Sequence, residues 1–287
     1  AALAVAAAGY RVVVTERSPD LSAAGAGIQI APNAGRILAD LGLDDALAAA
    51  AIEPAALDVR SGTTGKLLTA LPATAFRERY GFPYRVIHRA DLQAALAAAV
   101  GANADITLEL GTTVPQFLVN ADTLLVRIQG PRGIDVVPAA AIIAADGVWS
   151  TFREHIPGAA QPVGTGRTAW RATPPADIAA DLVAMDRTGL WLGRNAHLVH
   201  YPISQGAAVN IVAIVREKWE RKGWSAVGAR ADIAAHFRGW PAAALKLLAA
   251  PVSWQKFALM TVDPNAAWTG GRLALLRGAA HRMLPFL

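Results

Sequence analysis

The chain has 287 residues, room for one large or two moderate domains with a sizeable core. Hydrophobic residues make up 54% and charged residues 17%, against a globular norm of about 25% charged, which excludes a disordered chain. The net charge is +5, but the cations stand singly, no apolar run reaches the ~18 residues of a membrane span, and there is no cysteine. These features argue against a nucleic-acid stripe, a bilayer segment, a disulfide framework, a thiolate metal site and a cysteine nucleophile.

Residues 1–8 form an alanine-rich helix, with Gly9 placed for a left-handed cap. Residues 11–15 then read as a buried strand closed by Glu16, so the opening is the back half of a βαβ unit. A Gly-rich loop runs from 21 into a short strand ending at 30, and Pro32 starts a helix to 41. Residues 57–60 and 66–70 read as a hairpin. Residues 84–87 follow as a strand, and 89–100 as a helix with Asp91 in its first turn.

A meander is expected at 106–110, 114–119, 123–128 and 134–138. The uniformly apolar 139–145 has the composition of a strand covered on both faces, ending at Asp146-Gly147 ahead of a helix. Longer antiparallel strands are expected over 167–215, a helical stretch with three tryptophans over 218–248, and a short strand at 272–276. The chain opens on Ala1 inside a helix, so its natural amino terminus is expected upstream. With no cationic signal peptide in view, a soluble cytoplasmic protein is the default expectation.

Four positions gather chemistry. Glu16 at a strand end could accept from an adenosine ribose, about 20 residues after a GxGxxG turn that would lie before residue 1; any strand can also end in Glu. Asp146, Gly147, Ser150 and Arg153 group a carboxylate, a permissive turn, a hydroxyl and a cation at one strand end, where open α/β sheets bind ligands; a plain Asp-Gly turn fits equally. Arg89 opens a helix and could join its amino terminus in holding phosphate, or simply be solvated. His197 and Tyr201 fall on one face of a strand and could orient a phenol or carboxylate, although a lone histidine is commonly structural. The histidines show no metal-ligand spacing, and no serine sits in a nucleophile motif.

The strings AAGYRVVVTERSP (7–19), GAGIQIAPNA (25–34), VIHRADLQAAL (86–96), AADGVWSTFRE (144–154), HLVHYPI (197–203) and GRLALLRGAAHRMLPFL (271–287) occur in an order that resembles the single-component flavin-dependent aromatic hydroxylases. This is the para-hydroxybenzoate hydroxylase class, and within it the salicylate and 6-hydroxynicotinate monooxygenase branch. The resemblance implies an α/β fold: a doubly wound, Rossmann-like FAD-binding sheet with an antiparallel-sheet substrate domain. It places the FAD domain at 1–160 and 263–287, and the substrate domain at 161–262, with residues 11–15 and 139–145 in one sheet.

It further implies that Glu16 and Arg17 hold the adenosine end of FAD, and that Gly27 passes the flavin ring near Pro285. Arg89 would contact phosphate or ribityl, and Asp146, Gly147, Ser150 and Arg153 would serve FAD and the nicotinamide donor. His197 and Tyr201 would bind a small aromatic acid and help its hydroxyl lose a proton. The implied reaction uses NADH or NADPH and O2 to hydroxylate a hydroxylated aromatic or N-heteroaromatic acid. A quinone-pathway hydroxylase is an alternative within the same fold.

The chain departs from the pattern in lacking GxGxxG, in reading Arg277-Gly278 where the family has Gly-Asp, and in stopping at Leu287 before a further helix. These departures carry the expectation of a fragment or a non-catalytic remnant with weak FAD binding.

Overall fold

The computed structural model describes residues 1–21, 26–119, 123–221 and 223–284. Their contacts divide into two compact units, Ala1–Val12, Leu21–Ile106 and Thr168–Phe257 in the first, and Val13–Asp20, Thr107–Arg167 and Ala258–Leu287 in the second. This differs from the expected division, because the hairpin Ala56–Ser61/Leu67–Pro72 is not part of a nucleotide-type sheet. It pairs in parallel with Arg187–Leu192, in register Gly189 to Asp58, and so joins the large sheet.

That sheet has eight strands in the order Ser225–Gly228, Trp254–Thr261, Val163–Ala172, Ala208–Arg216, Ala196–Ile203, Arg187–Leu192, Ala56–Ser61 and Leu67–Pro72. Its central strands are almost continuously apolar because both faces are covered. On one face Trp170, Leu198, Ile211 and Trp254 pack with Ile233, Phe237, Leu247 and Leu248, which come from the helices Arg230–His236 and Ala242–Ala249 and the turn after the first of them. On the other, Tyr201 and Ile203 pack with Tyr84 and Val86.

Tyr84 and Val86 belong to the segment that pairs Gly27–Ile30 antiparallel with Arg85–His88. Behind that pair, Ile30, Leu43, Leu47 and Ile87 form a core with the helices Pro32–Asp40, Asp44–Ala50 and Arg89–Gly101. Arg85, 5% exposed, is held there by Asp44 at 2.6 Å and Glu53 at 3.0 Å.

In the second unit Val12–Glu16 pairs with Ile106–Leu110, and Ile142–Ala144 runs parallel to Leu273–Leu275 in a separate sheet. The expectation that these two segments share one sheet is therefore corrected, since among the described residues no strand links their free edges. Each has one exposed member, Val13 at 53% and Ile143 at 45%, although Ala144 is buried. Residues 113–139 form an antiparallel meander of three strands around a core shared by Ala144, Ile156, Leu273 and Leu275 with Phe117.

Two further expectations change. The segment after Asp146-Gly147 holds only a short 3-10 turn, Phe152–His155, and not a helix. The stretch 218–248 opens with the strand Ser225–Gly228, and its helices are interrupted where Gly239 takes φ +80° and Pro241 sets the start of the next.

Candidate active site

Tyr201 lies on the Ala196–Ile203 strand, 3% exposed, directly opposite Asn210 of the neighbouring strand. Asn210 Oδ1 accepts the backbone N–H of Gly27 at 2.7 Å. A side chain at Gly27 would put its Cβ 2.4 Å from Tyr201 Cε2 and 2.7 Å from the tyrosine hydroxyl. The Gly27 strand therefore approaches the phenol as closely as a bare backbone permits.

Burial pushes the Tyr201 phenol well above its usual value; neighbouring Tyr84 adds to this and the Arg171 guanidinium opposes it. Tyr84 is pushed up to about 12 by burial, partly offset by Thr188 beside it. The Tyr84 hydroxyl, the Thr188 hydroxyl and Asn210 Nδ2 are buried and make no hydrogen bond of normal geometry among the described residues. Buried polar atoms left in this way mark a place that a ligand or water completes.

His197 shares the Tyr201 face, as alternation requires, about 13 Å along the strand, and is half-buried opposite Leu192 and Ile214. His200 falls on the other face, where Trp191 donates to its Nε2 at 3.2 Å. Burial lowers its pKa to about 4; Arg60 adds to this and Asp58 opposes it. Arg171, which the sequence reading did not single out, places a cation beside Tyr201 and stacks over Phe257 at 5.6 Å. The signal was there, an arginine set among the apolar residues at the end of the strand VGTGRTAWRA. Arg89 is exposed at the start of its helix, and its backbone N–H donates to Ala26 at 2.8 Å, so Gly27 and Arg89 do come together.

In the second unit, Glu16 closes its strand and accepts the Ser18 N–H at 2.8 Å through one carboxylate oxygen, while Arg17 is exposed. Asp146 accepts the Thr151 N–H at 3.1 Å, Gly147 takes φ +90°, and the Ser150 hydroxyl is buried without a partner among the described residues. Glu16 offers a carboxylate of the kind a ribose hydroxyl takes and Ser150 a buried hydroxyl left for a ligand or water, and among the described residues no hydrogen bond joins the two.

Arg153 does not fit its expected cofactor role. It is 2% exposed and donates to Val148 at 2.9 Å, Ala279 at 2.8 Å and 3.2 Å, and Gly278 at 3.3 Å. Burial lowers its pKa and Asp146 opposes that shift. It is a clamp between two strand-end turns. Gly278 offers no carboxylate, and Arg277 before it takes the left-handed φ of +54°. Pro285 lies outside the described residues.

Residues 1–287 match a family described as FAD binding domain. The chain belongs to this FAD-binding family. Its members among the relatives include the 3-hydroxybenzoate 6-hydroxylase of Polaromonas naphthalenivorans (strain CJ2), 31% identical over 100% of this chain and 71% of that protein. The 6-hydroxynicotinate 3-monooxygenase of Bordetella bronchiseptica (strain ATCC BAA-588 / NCTC 13252 / RB50) is 30% identical over 99% of this chain and 73% of its own length. The fold matches that of a salicylate hydroxylase substrate complex with a TM-score of 0.76, at 24% identity, over 96% of this chain and 74% of that one. The chain thus belongs to a family of flavoprotein monooxygenases with FAD as cofactor, and its fold class is the one expected from the sequence. Among the described residues no helix is long and apolar enough to cross a membrane.

Proposed function

We propose that this chain hydroxylates a hydroxylated aromatic or N-heteroaromatic carboxylic acid on the face of the large sheet that carries Tyr201. In the overall reaction one atom of O2 enters a ring C–H, the other leaves as water, and NAD(P)H supplies the two electrons. Bound FAD supplies the redox and oxygen chemistry. Within the second unit, Glu16, Asp146, Gly147 and Ser150 are the groups suited to its polar parts; within the first, Gly27 and Arg89 lie near the Tyr201 face.

The observation that carries the reading is the Gly27–Tyr201–Asn210 contact, where a bare backbone, a buried phenol and an unsatisfied amide meet. Because its pKa is raised, the Tyr201 phenol stays protonated at neutral pH and acts as a donor. A donor at the substrate's phenolic oxygen favours the phenolate, which makes the ring more nucleophilic. His197, about 13 Å along the same face, would receive the released proton only through a relay of intervening hydroxyl groups or water. Arg171 supplies the cation for the carboxylate, and Asn210 Nδ2 a further donor. Tyr201, Asn210 and Arg171 offer polar partners that a small acid would use and a lipophilic quinone precursor would leave unmatched. A cytoplasmic setting is consistent with a small soluble substrate.

Screening hydroxybenzoates and hydroxynicotinates for stimulation of NAD(P)H oxidation by the FAD-loaded protein tests the reading. Stimulation by at least one such acid is expected, and indifference to all of them would overturn it. One feature favours weak cofactor retention: Gly278 stands where the family has an acidic acceptor. Losing a charged acceptor costs about 1.5–3 kcal/mol, roughly ten- to a hundredfold in affinity. Equilibrium dialysis against FAD would measure it.

A further inference from the structure

At the far end of the large sheet a cleft of about 250 Å³ opens where three turns meet: Gly62-Thr63, residues 193–196, and residues 236–240 at the end of the Arg230–His236 helix. Trp240 forms its apolar wall, set edge-on to Phe237 at 4.6 Å. The two glycines are there because of that indole: a Cβ on Gly62 or Gly193 would come within 2.7 Å or 2.5 Å of its ring. The rest of the lining is polar and cationic, with Arg194, Arg238, His236, Thr63 and Asn195.

Arg194 and Arg238 are exposed and make no side-chain hydrogen bond or ion pair among the described residues. His236 feels Glu217, but that carboxylate is already matched by Lys256 and by Thr168 at 2.6 Å. Two guanidinium groups without counter-charge therefore line one concavity, with a hydroxyl and an amide as neutral partners. Guanidinium forks match the geometry of phosphate and carboxylate. The volume lies below the ~300 Å³ at which drug-sized pockets begin, so the occupant is small. Trp240 packs with the Leu198 and Ile211 cluster, on the sheet face opposite the one that carries Tyr201, so the cleft is distinct from the proposed substrate face.

We propose that this cleft binds a small oxyanion, either a phosphate group or the carboxylate of a small organic acid. It goes beyond the hydroxylase reading and stands or falls separately from it.

The test is calorimetric titration of the full chain with inorganic phosphate and, separately, with benzoate, at ionic strength fixed with chloride. Arg194→Gln, Arg238→Gln, Arg36→Gln and Asn210→Asp are the variants. Saturable binding that weakens at least tenfold in both cleft arginine variants, and is unchanged in Arg36→Gln, an exposed cation elsewhere, supports the site. Phosphate alone or benzoate alone then identifies which oxyanion it takes. Arg238→Lys, retaining charge without the fork, should fall between wild type and Arg238→Gln. No saturable binding of either probe overturns the proposal. So does benzoate binding lost in Asn210→Asp and kept in the arginine variants, which would place it on the Tyr201 face.

Discussion

Gly27 donates its backbone N–H to Asn210 Oδ1 across 2.7 Å, joining two strands whose residues lie 183 positions apart. The amide thus has two separable jobs, since Oδ1 holds the backbone while Nδ2 has no partner among the described residues. Asn210→Asp keeps the acceptor and removes the donor, but puts a carboxylate at a position 0% exposed, so its thermal midpoint should fall while KM for the aromatic acid rises. Asn210→Leu leaves the Gly27 N–H buried without a partner and should cost about 1–3 kcal/mol in urea unfolding.

Tyr201→Phe removes the phenolic donor without changing the packing that Gly27 requires. Hydroxylation should fall about ten- to a hundredfold in kcat/KM, the worth of one hydrogen bond to a charged oxygen. Flavin content should not change. The pH at which bound substrate becomes phenolate, followed by its ultraviolet absorption, should shift upward in the variant. An unchanged titration would remove Tyr201 from the proton chemistry.

Arg153 ties Val148 to Gly278 and Ala279 through buried hydrogen bonds. Arg153→Met should therefore lower the stability of the FAD-free protein by about 1.5–3 kcal/mol, read from its urea midpoint. A variant with unchanged stability and selectively weakened FAD or NAD(P)H binding would restore its role as a cofactor contact.

His200 contributes a pH dependence of definite sign. Its folded pKa of about 4 lies below the ordinary 6.5, so the unfolded chain binds the proton first. The stabilisation is complete above the unfolded value and is lost as pH falls through about 4, amounting to roughly 3 kcal/mol. Urea unfolding of wild type and His200→Asn between pH 4 and pH 7.5 should show a steeper loss on acidification in the wild type. Parallel curves would show that the buried imidazole already takes up its proton in the folded state.

Local pattern made much of this fold legible. The hairpin at 56–72, the helix after Arg89 and the shared face of His197 and Tyr201 all follow from periodicity and punctuation within short windows. The failures are non-local. That hairpin pairs with Arg187–Leu192 through a parallel register no local signal encodes. Gly27 meets Asn210 and Tyr201 only after the sheet is assembled, so the amide was invisible and Arg171 passed as one cation among many. Arg153 carried the right motif, but its direction depended on carbonyl groups 125 and 126 residues away.

The central claim is ring hydroxylation by this flavoprotein, and isotope incorporation tests it most directly. The FAD-loaded chain, given NAD(P)H and a stimulating hydroxybenzoate or hydroxynicotinate under 18O2, should return a hydroxylated acid carrying a single labelled oxygen, in near equal yield to the NAD(P)H consumed. NAD(P)H oxidation that leaves the ring unlabelled, with the oxygen recovered as peroxide, would contradict the account.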